Sequence, residues 1–236
     1  MAPDPTLSCN PLVRRIVRLA IEEDLGTGDV TTESLIEPGM SAVADITVKA
    51  DGVVAGIPVA IMVFQEVSRD VVCTPLVADG SRVTPGTVVM RASGPAAALL
   101  VAERTVLDFL MRLSGVATRV RTFADALSGT ATRILDTRKT TPGLRVLEKY
   151  AVRLGGGHNH RMGLAGGVLV KNNHLAVEDD LGSLVRMARE RAPVLSRIEV
   201  EVRSLQEARA AVDAGADMLL LDHMNDIEVT AVVALC

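Results

Sequence analysis

The chain has 236 residues, 48% hydrophobic and 23% charged, with a formal net charge of −4. That is ordinary globular composition and enough length to bury a core, so disordered and low-complexity classes drop out. One Tyr, three Phe and no Trp leave few stacking platforms, and the acidic balance gives no basic footprint, which argues against nucleic acid.

Cys9, Cys73 and Cys236 are odd in number and lack a Cys-x-x-Cys pair. They fit neither a disulfide framework nor a cysteine zinc site and read as inert thiols in a reducing cytosol. No apolar run approaches the ~20 residues of a membrane span, and residues 1–10 show no export signal. The expectation is a soluble, cytoplasmic protein with no membrane partner.

In chain order, Leu12–Glu23 predicts an amphipathic helix with Ile16, Leu19 and Ala20 on its apolar side, ended by Gly26 and Gly28. Ala44–Lys49 alternates as a strand, and Asp51-Gly52 signals a hairpin after which Val53–Gly56 resumes the strand. Ile57–Val67 is apolar on a helical period, and short strands follow around Val83 and at Thr87–Met90. Pro95 opens a long apolar helix over Ala96–Leu113, which Ser114-Gly115 should stop before a second helix at Ala117–Leu127.

The rhythm then changes. Four short apolar runs end on polar residues, at Arg133–Thr137, Gly167–Lys171, Arg197–Val202 and Met218–Asp222, with helical stretches at Asp180–Arg191 and Ser204–Ala214. Strands alternating with helices predict βαβ units and a parallel sheet or barrel. The expected fold class is α/β, divided into residues 1–113 and 114–236.

Ligands of parallel α/β folds sit beyond the carboxyl ends of the strands. Here those ends carry Asp136, Thr137, Arg138 and Lys139, then Lys171, then Glu199 and Glu201, then Asp222. Residues 133–174 hold eight Lys or Arg against Asp136 and Glu148, a net of +6, so the remainder carries −10. A positive pocket in an acidic protein suits a small polyanion with carboxylates or phosphates. In Ile198–Val202 one strand face is aliphatic and the other carries two acids, a costly inward placement unless a cation or a hydroxyl ligand compensates, and Glu201 is nearer the strand end. The triple glycine at 155–157 would let backbone approach an anion, with His160 and Arg161 as donors. His158-x-His160 as a metal pair is disfavoured, because such a pair normally ends an apolar strand.

Asp136-Thr-Arg-Lys-Thr-Thr-Pro-Gly-Leu-Arg145, Glu148–Arg153 and Gly155-Gly-Gly-His-Asn-His-Arg161 together resemble the quinolinate phosphoribosyltransferase family. Glu103-Arg-Thr105, Leu113–Ala117, Glu22–Leu25 and Gly28–Thr32 fit as well. The resemblance implies an N-terminal α/β sandwich domain followed by an incomplete parallel α/β barrel carrying the active site. It implies transfer of phosphoribosyl from phosphoribosyl pyrophosphate to quinolinate with loss of carbon dioxide. By the same resemblance Thr137, Arg138, Lys139, His160, Arg161 and Lys171 would hold carboxylates and phosphates. Glu201 and Asp222 would face the ribose hydroxyls and the Mg2+ that accompanies pyrophosphate, and Lys139, Lys171, Glu201 and Asp222 would be the catalytic set. Arg104 would reach into the partner's site of a homodimer, or of a higher oligomer.

Two positions depart from the pattern: Asn172 stands where the family usually has an acid, and His223 where it usually has Asn. Family members also continue through further glycine-rich barrel strands, so the expectation is a chain truncated at its C-terminal end. The competing readings are a non-catalytic dimerising remnant and the related molybdenum-operon protein, the latter disfavoured by Asn159-His160-Arg161 and Lys171-x-Asn-His174.

Overall fold

The computed structural model describes residues 7, 9–178 and 180–236. The chain forms two compact units, one ending at His160 and one spanning Arg161–Cys236, each with its own core.

The first unit opens with helix α1 (Pro11–Leu25), whose N-cap Asn10 accepts from the Leu12 N–H, and the short α2 (Val30–Leu35), capped by Asp29. Val13 and Val17 of α1 are fully buried, with Ile16, Ala20 and Ile21 packed beside them. Leu19, expected on the apolar side, is 63% exposed, because the buried stripe runs through 13, 17 and 20 instead.

Strands β1 (Ser41–Thr47), β3 (Val72–Pro75) and β5 (Val88–Pro95) make an antiparallel sheet in the order β1-β5-β3, and β2 (Gly52–Val53) pairs with β4 (Arg82–Val83). Helix α3 (Ile57–Val67) is buried over Ile57–Ala60 and Met62–Phe64, with Gln65 and Glu66 exposed at its end. The hairpin expected at Asp51-Gly52 does not form. β1 pairs with β5, while β2 leaves for β4 and for two hydroxyls of the long helix α4 (Ala96–Ala126). Thr118 Oγ1 accepts from Val53 N at 2.9 Å, and Ser114 Oγ accepts from Ala55 N at 3.0 Å.

Those contacts also explain why α4 does not stop at Ser114-Gly115. It runs 31 residues without a break, its buried stripe passing from Leu99 through Ala102, Val106, Leu110 and Leu113 to Ala117. Ser114 is an anchor rather than a breaker, and packing along the whole stripe outweighs the roughly 1 kcal/mol penalty of a helical glycine.

After α4 the chain has no regular strand where Arg133–Thr137 predicted one. A single parallel bridge joins Leu135 to His158, with Asp136 N donating to His158 O at 3.1 Å and His158 N to Ile134 O at 2.9 Å. Helix α5 (Arg145–Leu154) lies between them in sequence.

The second unit is a regular α/β segment of an incomplete parallel α/β barrel. Strands β6 (Val168–Val170), β7 (Ile198–Val202) and β8 (Met218–Leu221) pair in parallel in that order. The short α6 (Asn172–Leu175) and the longer α7 (Leu181–Arg191), α8 (Leu205–Asp213) and α9 (Asp226–Val233) alternate with them. Val170, Ile198, Val200 and Val202 meet Leu181, Val185, Ala208, Ala211 and Val232 in one core, as the apolar runs required. No described helix is long and apolar enough to cross a membrane.

Candidate active site

In the first unit the basic stretch begins at Asp136, whose carboxylate is not a solvated strand tip. Its side chain is 7% exposed and pairs with the Lys149 ammonium, itself 1% exposed. It also accepts from Asn159 Nδ2 at 2.6 Å and His160 N at 2.8 Å, while Lys149 Nζ donates to His160 O at 3.1 Å. One of the eight cations counted toward a positive pocket is therefore spent internally. The pair ties the 136 segment to α5 and to the His158–His160 segment; a buried ion pair holds only when its remaining donors and acceptors are satisfied, as these are.

The segment after Asp136 carries Thr137, Arg138 and Lys139 without regular secondary structure. Thr137 Oγ1 accepts from Lys139 N at 3.0 Å. Arg145 supports the turn from α5, its Nε donating to Thr140 Oγ1 at 3.0 Å and its Nη2 to Arg138 O at 3.4 Å. Among the described residues neither Arg138 nor Lys139 meets a carboxylate, and Arg138 Nε is buried with no hydrogen-bond partner. Buried donors are almost always satisfied, so this guanidinium has capacity left for an acceptor, a property that it shares with Arg121 and Arg161, whose Nε atoms are likewise unpartnered.

The triple glycine serves packing. A Cβ on Gly155 would lie 2.5 Å from Ala117 O and 2.6 Å from Val120 Cβ, and one on Gly157 would lie 2.7 Å from Val152 Cγ1. These glycines seat the end of α5 against α4; the expectation that they bring backbone to an anion is not needed to explain them.

In the second unit Lys171, directly after β6, donates from Nζ to Glu201 Oε2 at 2.7 Å. Asn172 Nδ2 donates to the other oxygen, Oε1, at 3.3 Å. Glu201 thus has the compensating cation that its place on β7 demanded. Asn172, at the first departure from the family pattern, addresses Glu201 rather than Lys171. Lys171 N donates to His174 Nδ1 at 2.9 Å, which fixes the start of α6. Arg161 Nη1 donates to Gly167 O at 3.0 Å, with its Nε buried and unpartnered.

Asp222, directly after β8, accepts from Arg203 Nε at 3.1 Å and lies 2.9 Å from His223 Nδ1. The His223 and Arg203 contacts hold its carboxyl below the usual range, so it is ionised at neutral pH. His223 adopts φ 56, the left-handed region, which His and Asn tolerate better than most side chains. The structure therefore brings Lys171 to Glu201 and Arg203 to Asp222, with each acid partnered by a cation.

No three His, Cys, Asp or Glu side chains converge as a metal cage among the described residues. Glu201 and Asp222 are the carboxylates that could face a hard cation, one or two being enough for magnesium, and each is partnered by a basic side chain here. Among the described residues Arg104 on α4 makes one loose contact, Nη1 to Asp108 Oδ1 at 3.5 Å, with both side chains 60% exposed.

Sequence reasoning missed Glu148, Arg112, Lys149 and Arg203 as site-shaping residues. Their ion-pair partners lie 13 to 36 positions away, beyond any local periodicity.

An α/β protein with unpaired cations in one unit, and with ion pairs at the carboxyl ends of parallel strands in the other, is equipped to handle small anions. Residues 29–114 match the model of the quinolinate phosphoribosyl transferase N-terminal domain, and residues 116–236 that of the C-terminal domain. The chain belongs to the quinolinate phosphoribosyl transferase family. It is 42% identical over 201 residues to a probable nicotinate-nucleotide pyrophosphorylase [carboxylating] of Bacillus subtilis, covering 85% of this chain and 69% of that protein. It is 40% identical over 213 residues to the nicotinate-nucleotide pyrophosphorylase [carboxylating] of Mycobacterium leprae, covering 89% and 75%. The crystal structure of NadC from Streptococcus pyogenes superposes with a TM-score of 0.91 at 36% identity, covering 94% of this chain and 79% of that one.

Proposed function

We propose that this chain is a nicotinate-nucleotide pyrophosphorylase (carboxylating). It joins quinolinate to phosphoribosyl pyrophosphate and releases pyrophosphate and carbon dioxide to give nicotinate mononucleotide, a step toward NAD. Family membership supports the reaction. The observation that carries the site is Arg138, whose buried Nε lacks a partner, beside Lys139, which meets no acid among the described residues.

Quinolinate presents two carboxylates on adjacent ring carbons. Arg138 and Lys139 supply uncommitted charge for them, with His160, Arg161 and Lys171 as further donors and Thr137 setting the turn. A charge-assisted hydrogen bond of this kind contributes about 1.5–3 kcal/mol. Bond formation from the pyridine nitrogen to the ribose anomeric carbon breaks the bond to pyrophosphate, which leaves with the electron pair. The ring 2-carboxylate then departs as carbon dioxide, its electron pair stays on the ring carbon beside the cationic nitrogen, and a proton replaces it.

Neither step needs a nucleophilic side chain. Placed charge does the work: cations beside the departing pyrophosphate, and Glu201 and Asp222 beside the ribose hydroxyls and its developing positive charge. Magnesium would ride on the pyrophosphate near Asp222 and Glu201, where it supplies charge neutralisation for the leaving group. Lys171 holds Glu201 in position and Arg203 holds Asp222.

The working form is a homodimer. On α4, Leu100 is 46% and Met111 57% exposed along the same stripe as Arg104, an apolar setting for a second copy around a loosely held guanidinium. Arg104 then completes the partner's site. The cytoplasm is its place of work, in keeping with three free cysteines.

The test is an assay of the purified chain with quinolinate, phosphoribosyl pyrophosphate and magnesium. The expected result is carbon dioxide, pyrophosphate and nicotinate mononucleotide in equal amounts, dependent on both substrates. Pyrophosphate release without carbon dioxide from quinolinate would overturn the reading.

A further inference from the structure

We infer that Arg112 is a positioning residue for quinolinate, acting through Glu148 to hold the loop that presents Arg138 and Lys139. The inference rests on the reaction proposed above and adds to it a residue outside the ligand-contacting set. Arg112 lies on α4 and reaches across to α5. Its Nε and Nη2 donate to Glu148 Oε1 at 3.0 and 2.5 Å, and Nη2 also donates to Thr141 Oγ1 at 2.5 Å. Glu148 Oε2 accepts from Thr141 N at 3.1 Å, closing a ring of hydrogen bonds through the loop backbone.

Glu148 is 7% exposed, a carboxylate that would be costly without such partners. The Arg112 and Thr141 bonds outweigh its desolvation and keep its carboxyl below the usual range. From the other side Arg145 holds Thr140 Oγ1 and Arg138 O. The loop 137–141 has no ladder of its own, so these two arginines fix its backbone. Among the described residues the Arg138 and Lys139 side chains are left out of the ion pairs that Arg112 and Lys149 make. The Arg112 side chain is itself 52% exposed, so its removal costs the core little.

Lysine can replace it only in part. One planar guanidinium serves Glu148 and Thr141 at once, whereas an ammonium offers a single point of charge without the fork.

The experiment compares wild type, Arg112→Ala, Arg112→Lys, Glu148→Gln and the Arg112→Ala/Glu148→Gln double variant of the full chain. Quinolinate and phosphoribosyl pyrophosphate are titrated separately by calorimetry, and Thr141 amide exchange is followed without ligand. Arg112→Ala and Glu148→Gln should each weaken quinolinate by about tenfold while phosphoribosyl pyrophosphate stays within twofold. Arg112→Lys should recover only part, the double variant should be no worse than either single one, and Thr141 should exchange faster. Unchanged quinolinate affinity, equal weakening of both ligands, additive effects, or unchanged Thr141 exchange would each overturn the inference. Wild type that binds no quinolinate would instead overturn the reaction on which it rests, and the Thr141 exchange would still report separately whether Arg112 holds the loop.

Discussion

At the scale of single residues, two kinds of charge need separating. Lys149 and Asp136 are sealed together, at 1% and 7% side-chain exposure, and their work is structural. Removing one partner of a buried pair leaves an uncompensated charge, so Lys149→Ala should lower unfolding free energy by about 3–5 kcal/mol in a urea titration. A loss under 1 kcal/mol would mean that the pair is not holding the 136 and 160 segments. Arg138 and Lys139, two and three residues on, are the opposite case. Sequence counting put all the cations of residues 133–174 into one pool, because nothing local distinguishes a lysine with a buried partner from one without. Glu201 was the legible case: an acid on the polar face of an apolar strand needs a cation, and Lys171 is there at 2.7 Å.

At the scale of elements, three of the four short runs read as parallel strands became β6, β7 and β8, with capped helices between them, while Arg133–Thr137 gives only the bridge at Leu135. The N-terminal half was less so. Asp51-Gly52 is a sound hairpin signal locally, but the competing partners of residues 53–55 are hydroxyls on α4, 59 to 65 positions downstream. Ser114-Gly115 misled for the same reason. The triple glycine shows how one residue type can serve either of two ends, and the clash distances choose packing. Gly155→Ala should therefore destabilise the fold by about 1–3 kcal/mol, since its Cβ meets backbone at 2.5 Å. Thermal unfolding checks it: an unchanged midpoint would return the loop to a ligand role.

At the scale of the whole molecule, the family resemblance was legible from the 136–174 block alone, and the fold follows it. The dimer is the claim that reaches furthest beyond the single chain. If Arg104 completes the partner's site, Arg104→Ala and Lys171→Ala variants should each be nearly inactive alone. Mixed in equal amounts and allowed to exchange, they should regain about a quarter of wild-type activity, because half the dimers would carry one intact site. No recovery on mixing, with exchange confirmed by mass spectrometry, would confine Arg104 to its local contact with Asp108.

All of this depends on uncommitted cations gripping two neighbouring carboxylates. Calorimetric titration with quinolinate, set beside nicotinate, which keeps only one of the two, and repeated on Arg138→Ala, tests it most directly. Quinolinate should bind saturably in the micromolar to millimolar range, with nicotinate and the variant each at least about tenfold weaker, the value of one charge-assisted hydrogen bond. Equal affinity for both pyridines, or a variant that binds quinolinate as well as wild type, would contradict it.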